Sequence, residues 1–174
     1  LICSQEIYKK ANAVIRRCGT REPFEIAGEL GISLYFEHFS KLLGMYTYRW
    51  RHRMIFINDS ISETAARTVL AHELGHDTLH RSFASQGMRE YALFGLKDDT
   101  EQAANAFAAH LLLDWDELYE TLLGGFTVTQ AAASFNVPSE LILIKLAQMK
   151  NLGCNIHLPD YANSNRPALK QPRA

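Results

Sequence analysis

The chain has 174 residues, 47% of them hydrophobic and 21% charged, which suits one globular domain with a real core. A formal net charge of -1 provides no overall basic field, so nucleic-acid binding would need a local patch. Three scattered cysteines (Cys3, Cys18, Cys154) argue against a disulfide framework and a cysteine zinc knuckle, and free thiols fit a reducing cytoplasmic compartment. Charges at Glu6, Lys9 and Lys10, with no long apolar run beside them, speak against a signal peptide or membrane anchor.

Residues 4–18 read as a helix with a stripe of Ile7, Ala11, Val14 and Cys18; Ser4 can cap it and Gly19 can end it. Pro23 suits the first turn of a short helix over 23–30, closed by Gly31. The β-branched and aromatic run 32–36 predicts a strand. Stretches 43–50 and 53–58 predict a hairpin with a basic tip, Arg51-His52, and together these give a small antiparallel sheet. The run Met54-Ile55-Phe56-Ile57 is apolar throughout, as in a strand covered on both faces or lying beside a cleft. Asn58-Asp59-Ser60 is turn chemistry.

The main helix should run from about 60 or 62 to 80. It contains His72-Glu73-Leu74-Gly75-His76. Four residues of helix return a side chain to nearly the same face, so His72 and His76 point the same way and can share one Zn²⁺. Glu73, beside the first histidine, can reach a water on that metal and serve as general base. The histidines continue a stripe through Ala65, Val69 and Leu79 that should face the core, and buried imidazoles need partners.

Residues 81–96 are less regular, interrupted by Gly87 and Gly95; their aromatics Phe83, Tyr91 and Phe94 could form a flap. A second strong helix spans 98–113 and another 116–123. Stretches 127–135 and 138–150, joined at Asn136-Val137, have the length of a helix-turn-helix. Residues 154–158 read as a short edge strand. From 159 the chain is rich in Asn, Pro, Arg and Lys and reads as a disordered tail, leaving 1–158 as one domain with 127–150 as an appendage within it.

A catalytic zinc usually takes three protein ligands and keeps one position open. Candidates for the third are His80, Asp98, Asp99, Glu101 and His110. One straight helix cannot easily wrap three ligands around an ion. His80 therefore suits a role supporting a ligand or contacting substrate, or that of a cation at a helix C-terminus. Glu101 opens a helix rich in small residues that can approach the main helix closely. Asn105, one turn on, could accept the remaining ring N–H of a ligating histidine. Against this, Asp98 and Glu101 also fit a capping box, which would make Glu101 structural; spacing does not choose between the two.

His72-Glu73-Leu74-Gly75-His76-x-x-Leu79-His80, followed by Glu101-x-x-Ala104-Asn105-x-Phe107-Ala108-Ala109-x-Leu111-Leu112, resembles the ImmA/IrrE family of zinc metallopeptidases, of gluzincin type. The resemblance extends to the strand before the main helix and to Ala131-x-x-x-Phe135-x-Val137. It implies an α+β zincin-like fold built around the metal helix, with a small sheet and a C-terminal helix-turn-helix-like pair. It implies His72, His76 and Glu101 as zinc ligands and Glu73 as base. One departure is visible: the family usually continues Leu-Leu-Met-Pro, and here Leu111-Leu112-Leu113-Asp114 stands instead, so that helix should end differently.

In such a site Glu73 would move the proton, with His80 or a tyrosine such as Tyr91 as a second electrophile. The strand over 54–58 could hold an extended substrate by main-chain pairing. The resemblance adds a substrate class: helix-turn-helix repressors of mobile elements or prophages, here expected on a separate chain. Two other readings compete, a metal-bound regulator without peptidase activity and a DNA-binding module. The second helix of the pair, 138–150, offers Leu141, Ile144, Lys145 and Gln148 as one plausible reading face, but it opens with apolar residues and Glu140, and its first turns carry no Arg, Gln or Asn to read a groove. Direct nucleic-acid or membrane partners are therefore not expected.

Overall fold

A computed structural model describes residues 2–81, the backbone of 88–90, and residues 99–157. In chain order the elements are α1 (Ser4–Cys18), α2 (Pro23–Glu29), β1 (Ser33–Glu37), β2 (Gly44–Arg49), β3 (His52–Asn58), α3 (Glu63–Leu79), β4 (Met88–Glu90), α4 (Asp99–Leu112), α5 (Trp115–Leu123), α6 (Val128–Ser134) and α7 (Ser139–Asn151). The class is α+β, as the sequence predicts. The expected flap residues Phe83, Tyr91 and Phe94, and the tail 159–174, lie outside the described residues.

The sheet has the order β1-β3-β2-β4 and is mixed rather than wholly antiparallel. β2 and β3 form the predicted hairpin, with Arg49 opposite His52. Its tip is therefore Trp50-Arg51, one residue earlier than expected, and both tip residues take positive φ, 48° and 66°. That is the geometry of a type I′ turn, whose twist matches the strands, made here without glycine. β1 pairs with β3 in parallel, from Ser33↔Met54 to Glu37↔Asn58. β3 is thus flanked on both sides, and its main chain cannot also pair with a substrate, which corrects the expectation for 54–58. Only one of its faces is deeply covered. Ile55 and Ile57 are fully buried, while Phe56 turns outward and stacks on Tyr35 at 5.0 Å between ring centroids. β4 pairs antiparallel with β2 at Gly44–Tyr46, so the irregular stretch contains a strand. Residues 154–157 form no strand.

Helices pack on the covered face of the sheet. α3 runs through the middle, with its N-terminus capped by the Ser62 hydroxyl accepting from the Ala65 N–H at 3.2 Å. Every residue from Thr68 to Asp77 is buried. The helix is therefore enclosed all round rather than along one stripe, as a helix at the centre of a domain must be. α4 lies along it and is buried from Ala103 to Leu112. Helices α1 and α7 pack against α4, and α6 packs against α7. α1 begins one residue earlier than a Ser4 cap would allow: Cys3 holds the cap position and makes no side-chain capping bond, while Gly19 ends the helix at φ 71° as predicted. No helix among the described residues is long and apolar enough to cross a membrane.

The α6–α7 pair is docked, not splayed. The Thr64 hydroxyl at the start of α3 meets the Asn136 side chain in the turn at 2.6 Å. Lys145, on the face that a groove-reading helix would present, is 2% exposed. Its Nζ lies 3.2 Å from His110 Nδ1 of α4.

Candidate metal centre

The site is made where α3 crosses α4. A Cβ added to Gly75 would stand 3.0 Å from Ala104 Cα and 3.1 Å from the Ala104 carbonyl oxygen. Any larger residue would press on the Ala104 backbone, so Gly75 lets the two backbones approach closely. This contact lies between the metal-motif histidines of α3 and the carboxylate that opens α4.

His72 Nε2 and His76 Nε2 are 3.0 Å apart. Glu101 turns one oxygen to each, at 3.2 Å from His72 Nε2 and 3.4 Å from His76 Nε2. Ions bound by nitrogen and oxygen at about 2.0–2.1 Å in tetrahedral geometry hold their ligand atoms about 3.3 Å apart. The observed triangle has that size. The donor types also agree, because two imidazoles and a carboxylate suit a borderline-soft divalent metal.

The rest of each histidine is fixed as well. His72 Nδ1 lies 2.8 Å from Asn105 Oδ1. That oxygen only accepts, so Nδ1 carries the proton and Nε2 is left with its lone pair toward Glu101. His76 Nδ1 lies 3.2 Å from His80 Nδ1, and the His80 ring is 3% exposed. His80 thus stands behind a histidine of the triangle. Burial alone would raise the Glu101 pKa, but the facing imidazoles of His72 and His76, when they carry the extra proton, outweigh it and hold the carboxyl below its ordinary value. Both oxygens of Glu101 are occupied in this way, and its alternative capping partner Asp98 lies outside the described residues.

Glu73 is fully buried on α3. Its Oε1 lies 3.0 Å from where a Cβ on Gly44 would be, so the carboxylate sits against the first residue of β2. Among the other residues the sequence singled out, Asp99 is exposed at the start of α4, and Tyr91 is outside the described residues. His110 is buried away from the triangle, beside Lys145 and edge-on to Tyr8 at 5.1 Å.

One cluster has no counterpart in the sequence reading. Asp77, the residue after His76, is buried and receives three side chains. The Tyr46 hydroxyl donates to its Oδ1 at 2.7 Å, and Arg53 and Arg81 reach Oδ2 at 3.2 and 3.0 Å. Arg53 also donates to the Leu30 carbonyl at the end of α2. Burial, and then the bond to Asp77, push the Tyr46 phenol well above its ordinary pKa and keep it a donor. The cluster ties the C-terminal half of α3 to β2, β3 and α2. A signal for it exists in retrospect: an acidic residue within a helix otherwise buried needs cationic or hydroxyl partners.

Comparison with known proteins places this geometry. The family model for the IrrE N-terminal-like domain, peptidase family M78, matches residues 27–147, well over half of the chain. The chain belongs to this family. It is similar to the metallopeptidase ImmA of Bacillus subtilis (strain 168), with 31% identity over 158 residues, 88% of this chain and 92% of that protein. It is also similar to immunity region protein 2 of Bacillus phage phi105, with 33% identity over 141 residues, 79% of this chain and 88% of the phage protein. As an ImmA/IrrE family member the chain is a metallopeptidase, and the family together with the His/His/Glu donor set points to a metal ion.

The family departure at Asp114 has a local explanation. Its Oδ1 accepts from the Asp116 and Glu117 N–H groups at 3.0 and 3.3 Å and so caps α5. Its Oδ2 pairs with Arg21 at 2.6 Å, and Arg21 in turn donates to the His110 and Leu111 carbonyls at the end of α4. A capping aspartate thus ends one helix and starts the next without proline.

Proposed function

We propose that this ImmA/IrrE family member is a zinc endopeptidase whose substrate is a helix-turn-helix repressor of a mobile element or prophage. The observation that carries the reading is the triangle of His72 Nε2, His76 Nε2 and Glu101 with the Glu73 carboxylate on the same helix. His72, His76 and Glu101 would hold the ion. Asn105 orients His72, and His80 does the same for His76 by accepting its Nδ1 proton. A zinc ion held there would acidify a bound water and polarise the scissile carbonyl. Glu73 takes one proton from the attacking water as its oxygen bonds to the carbonyl carbon. As the C–N bond breaks, Glu73 gives that proton to the departing amine, leaving a carboxylic acid and an amine, which become carboxylate and ammonium when the acid's proton passes to the amine. Burial of Glu73 keeps competing bulk water from the exchange.

The repressor assignment rests on family resemblance and on a similar phage protein named for an immunity region. An extended substrate segment would pair on an outer strand, and the strand beyond β2 is β4. DNA reading by α7 receives no support, because Lys145 is spent on packing against α4.

The test is co-expression with a helix-turn-helix repressor encoded beside the gene, comparing wild type with Glu73→Gln. Full-length repressor should disappear with wild type alone, while both proteins purify with about one zinc per chain. Equal cleavage by Glu73→Gln would remove the base assignment, and absence of zinc from wild type would remove the metal assignment.

A further inference from the structure

Gly44 opens β2 directly above α3. Its φ is not positive, so it is not there for backbone freedom. What it supplies is room. A Cβ at this position would stand 2.4 Å from Val69 Cγ1, 3.0 Å from Glu73 Oε1 and 3.4 Å from the Phe56 carbonyl oxygen. The first two are well inside ordinary contact distance, so something would have to move.

The backbone of β2 is poorly placed to retreat. Gly44 is paired with Ile57 on one side and Glu90 on the other. Just before it, the Asn58 N–H donates to the Leu43 carbonyl at 3.0 Å. Two residues on, Tyr46 is anchored to Asp77 of α3. The displacement therefore falls on the two side chains of α3 that face Gly44. These lie one helical turn apart and have different jobs: Val69 is core packing, and Glu73 is the proposed base.

We propose that Gly44 is a positioning residue for Glu73. Its bare Cα forms the wall against which the carboxylate rests, on the residue that follows His72 in α3. A methyl there would push the carboxylate off its place without touching any of the three metal-holding side chains. This rests on the reading of Glu73 as base, and the two can fail separately.

The test exploits the two neighbours. Val69→Ala removes the atom behind the 2.4 Å clash and leaves the Glu73 contact intact. Wild type, Gly44→Ala, Val69→Ala, the Gly44→Ala/Val69→Ala double variant and Glu73→Gln are compared as full chains. Three readouts are taken: Tm without metal, metal content, and the affinity of the Co²⁺-loaded protein for acetohydroxamate. That probe chelates a metal through two oxygens and passes a proton to a neighbouring carboxylate.

Gly44→Ala should lower Tm, and adding Val69→Ala should recover most of the loss. Acetohydroxamate should nevertheless bind the double variant at least about tenfold more weakly than Val69→Ala alone, as expected for losing one charge-assisted hydrogen bond. Glu73→Gln should show a similar deficit, and every variant should keep its metal. On a cleaved repressor, the double variant should lose kcat with KM little changed. If Gly44→Ala alone does not fold, the double variant carries the comparison. Affinity of the double variant equal to Val69→Ala overturns the proposal. So does loss of metal from it, since Gly44 would then shape the ligand set instead. Undiminished affinity in Glu73→Gln overturns the base reading itself, and Gly44's role falls with it.

Discussion

His72 and His76 are held from behind by unlike partners, an amide oxygen of Asn105 at 2.8 Å and an imidazole nitrogen of His80 at 3.2 Å. Each steadies a ring, and the amide oxygen also fixes the His72 tautomer, so each should matter to metal affinity though neither faces the triangle. Asn105→Ala and His80→Ala should each weaken zinc binding by about 10–100-fold in chelator competition. Unchanged affinity in either would show that packing alone orients that ring. The pair His72 and His76 is legible in sequence because helical spacing is local geometry. Asn105 follows once Glu101 is placed, being one turn further on. Glu101 itself is not fixed by spacing, since a capping box satisfies the same letters; family resemblance supplied it, and the structure turns both its oxygens to the histidines. Gly44 and Asp77 were missed. Their demands come from neighbours brought by the fold, a valine and a carboxylate for one and two arginines and a tyrosine for the other.

At the scale of elements, the α3–α4 crossing depends on Gly75 and Ala104. Gly75→Ala places a methyl at about 3 Å from the Ala104 backbone, where no side-chain rotation can relieve it. The helices must separate, carrying Glu101 away from the histidines. We expect a loss of about 1–3 kcal/mol in urea unfolding, together with weakened zinc binding. Retained affinity with reduced stability would mean that Glu101 follows the histidines by side-chain adjustment alone. Helices α1 to α7 were readable from stripes, prolines and caps, since those signals are local. The sheet was less so. β1 lies parallel to β3 because β2 crosses to β3's far side, a choice made by packing on the helices and not by any residue in β1. β4 is three residues long, too short for alternation to register. The Trp50-Arg51 tip takes positive φ without the Asn or Gly that would announce it.

For the whole molecule, the buried contact between α4 and α7 sets a pH dependence. Burial, and then Arg21, lower the Lys145 amine to about 7 from its ordinary 10.5. Burial, and then Lys145 and Arg21, lower His110 to about 3. Between about pH 7 and 10.5 the unfolded chain holds a proton on Lys145 that the folded chain has lost, so this group makes stability rise with pH across that window. His110 acts in the same direction between about pH 3 and 6.5. Lys145→Met should therefore flatten the rise in unfolding free energy from pH 7 to 10 relative to wild type. Parallel curves for the two proteins would show that the amine stays charged in the folded state. The sequence presents Lys145 as one member of a possible reading face; its burial became visible only when α7 met α4.

The close approach at Gly75 has one more consequence, which concerns the choice of ion. With α3 and α4 at backbone contact, the three donor side chains stand 3.0–3.4 Å apart. An ion with bonds of about 2.0–2.1 Å fits them unaltered. Calcium, with a need for six to eight oxygens, would find one carboxylate and two imidazoles in this group. Discrimination against calcium should therefore rest on the number and type of the donors, and the part of Gly75, which never touches them, is to let the two helices bring them together.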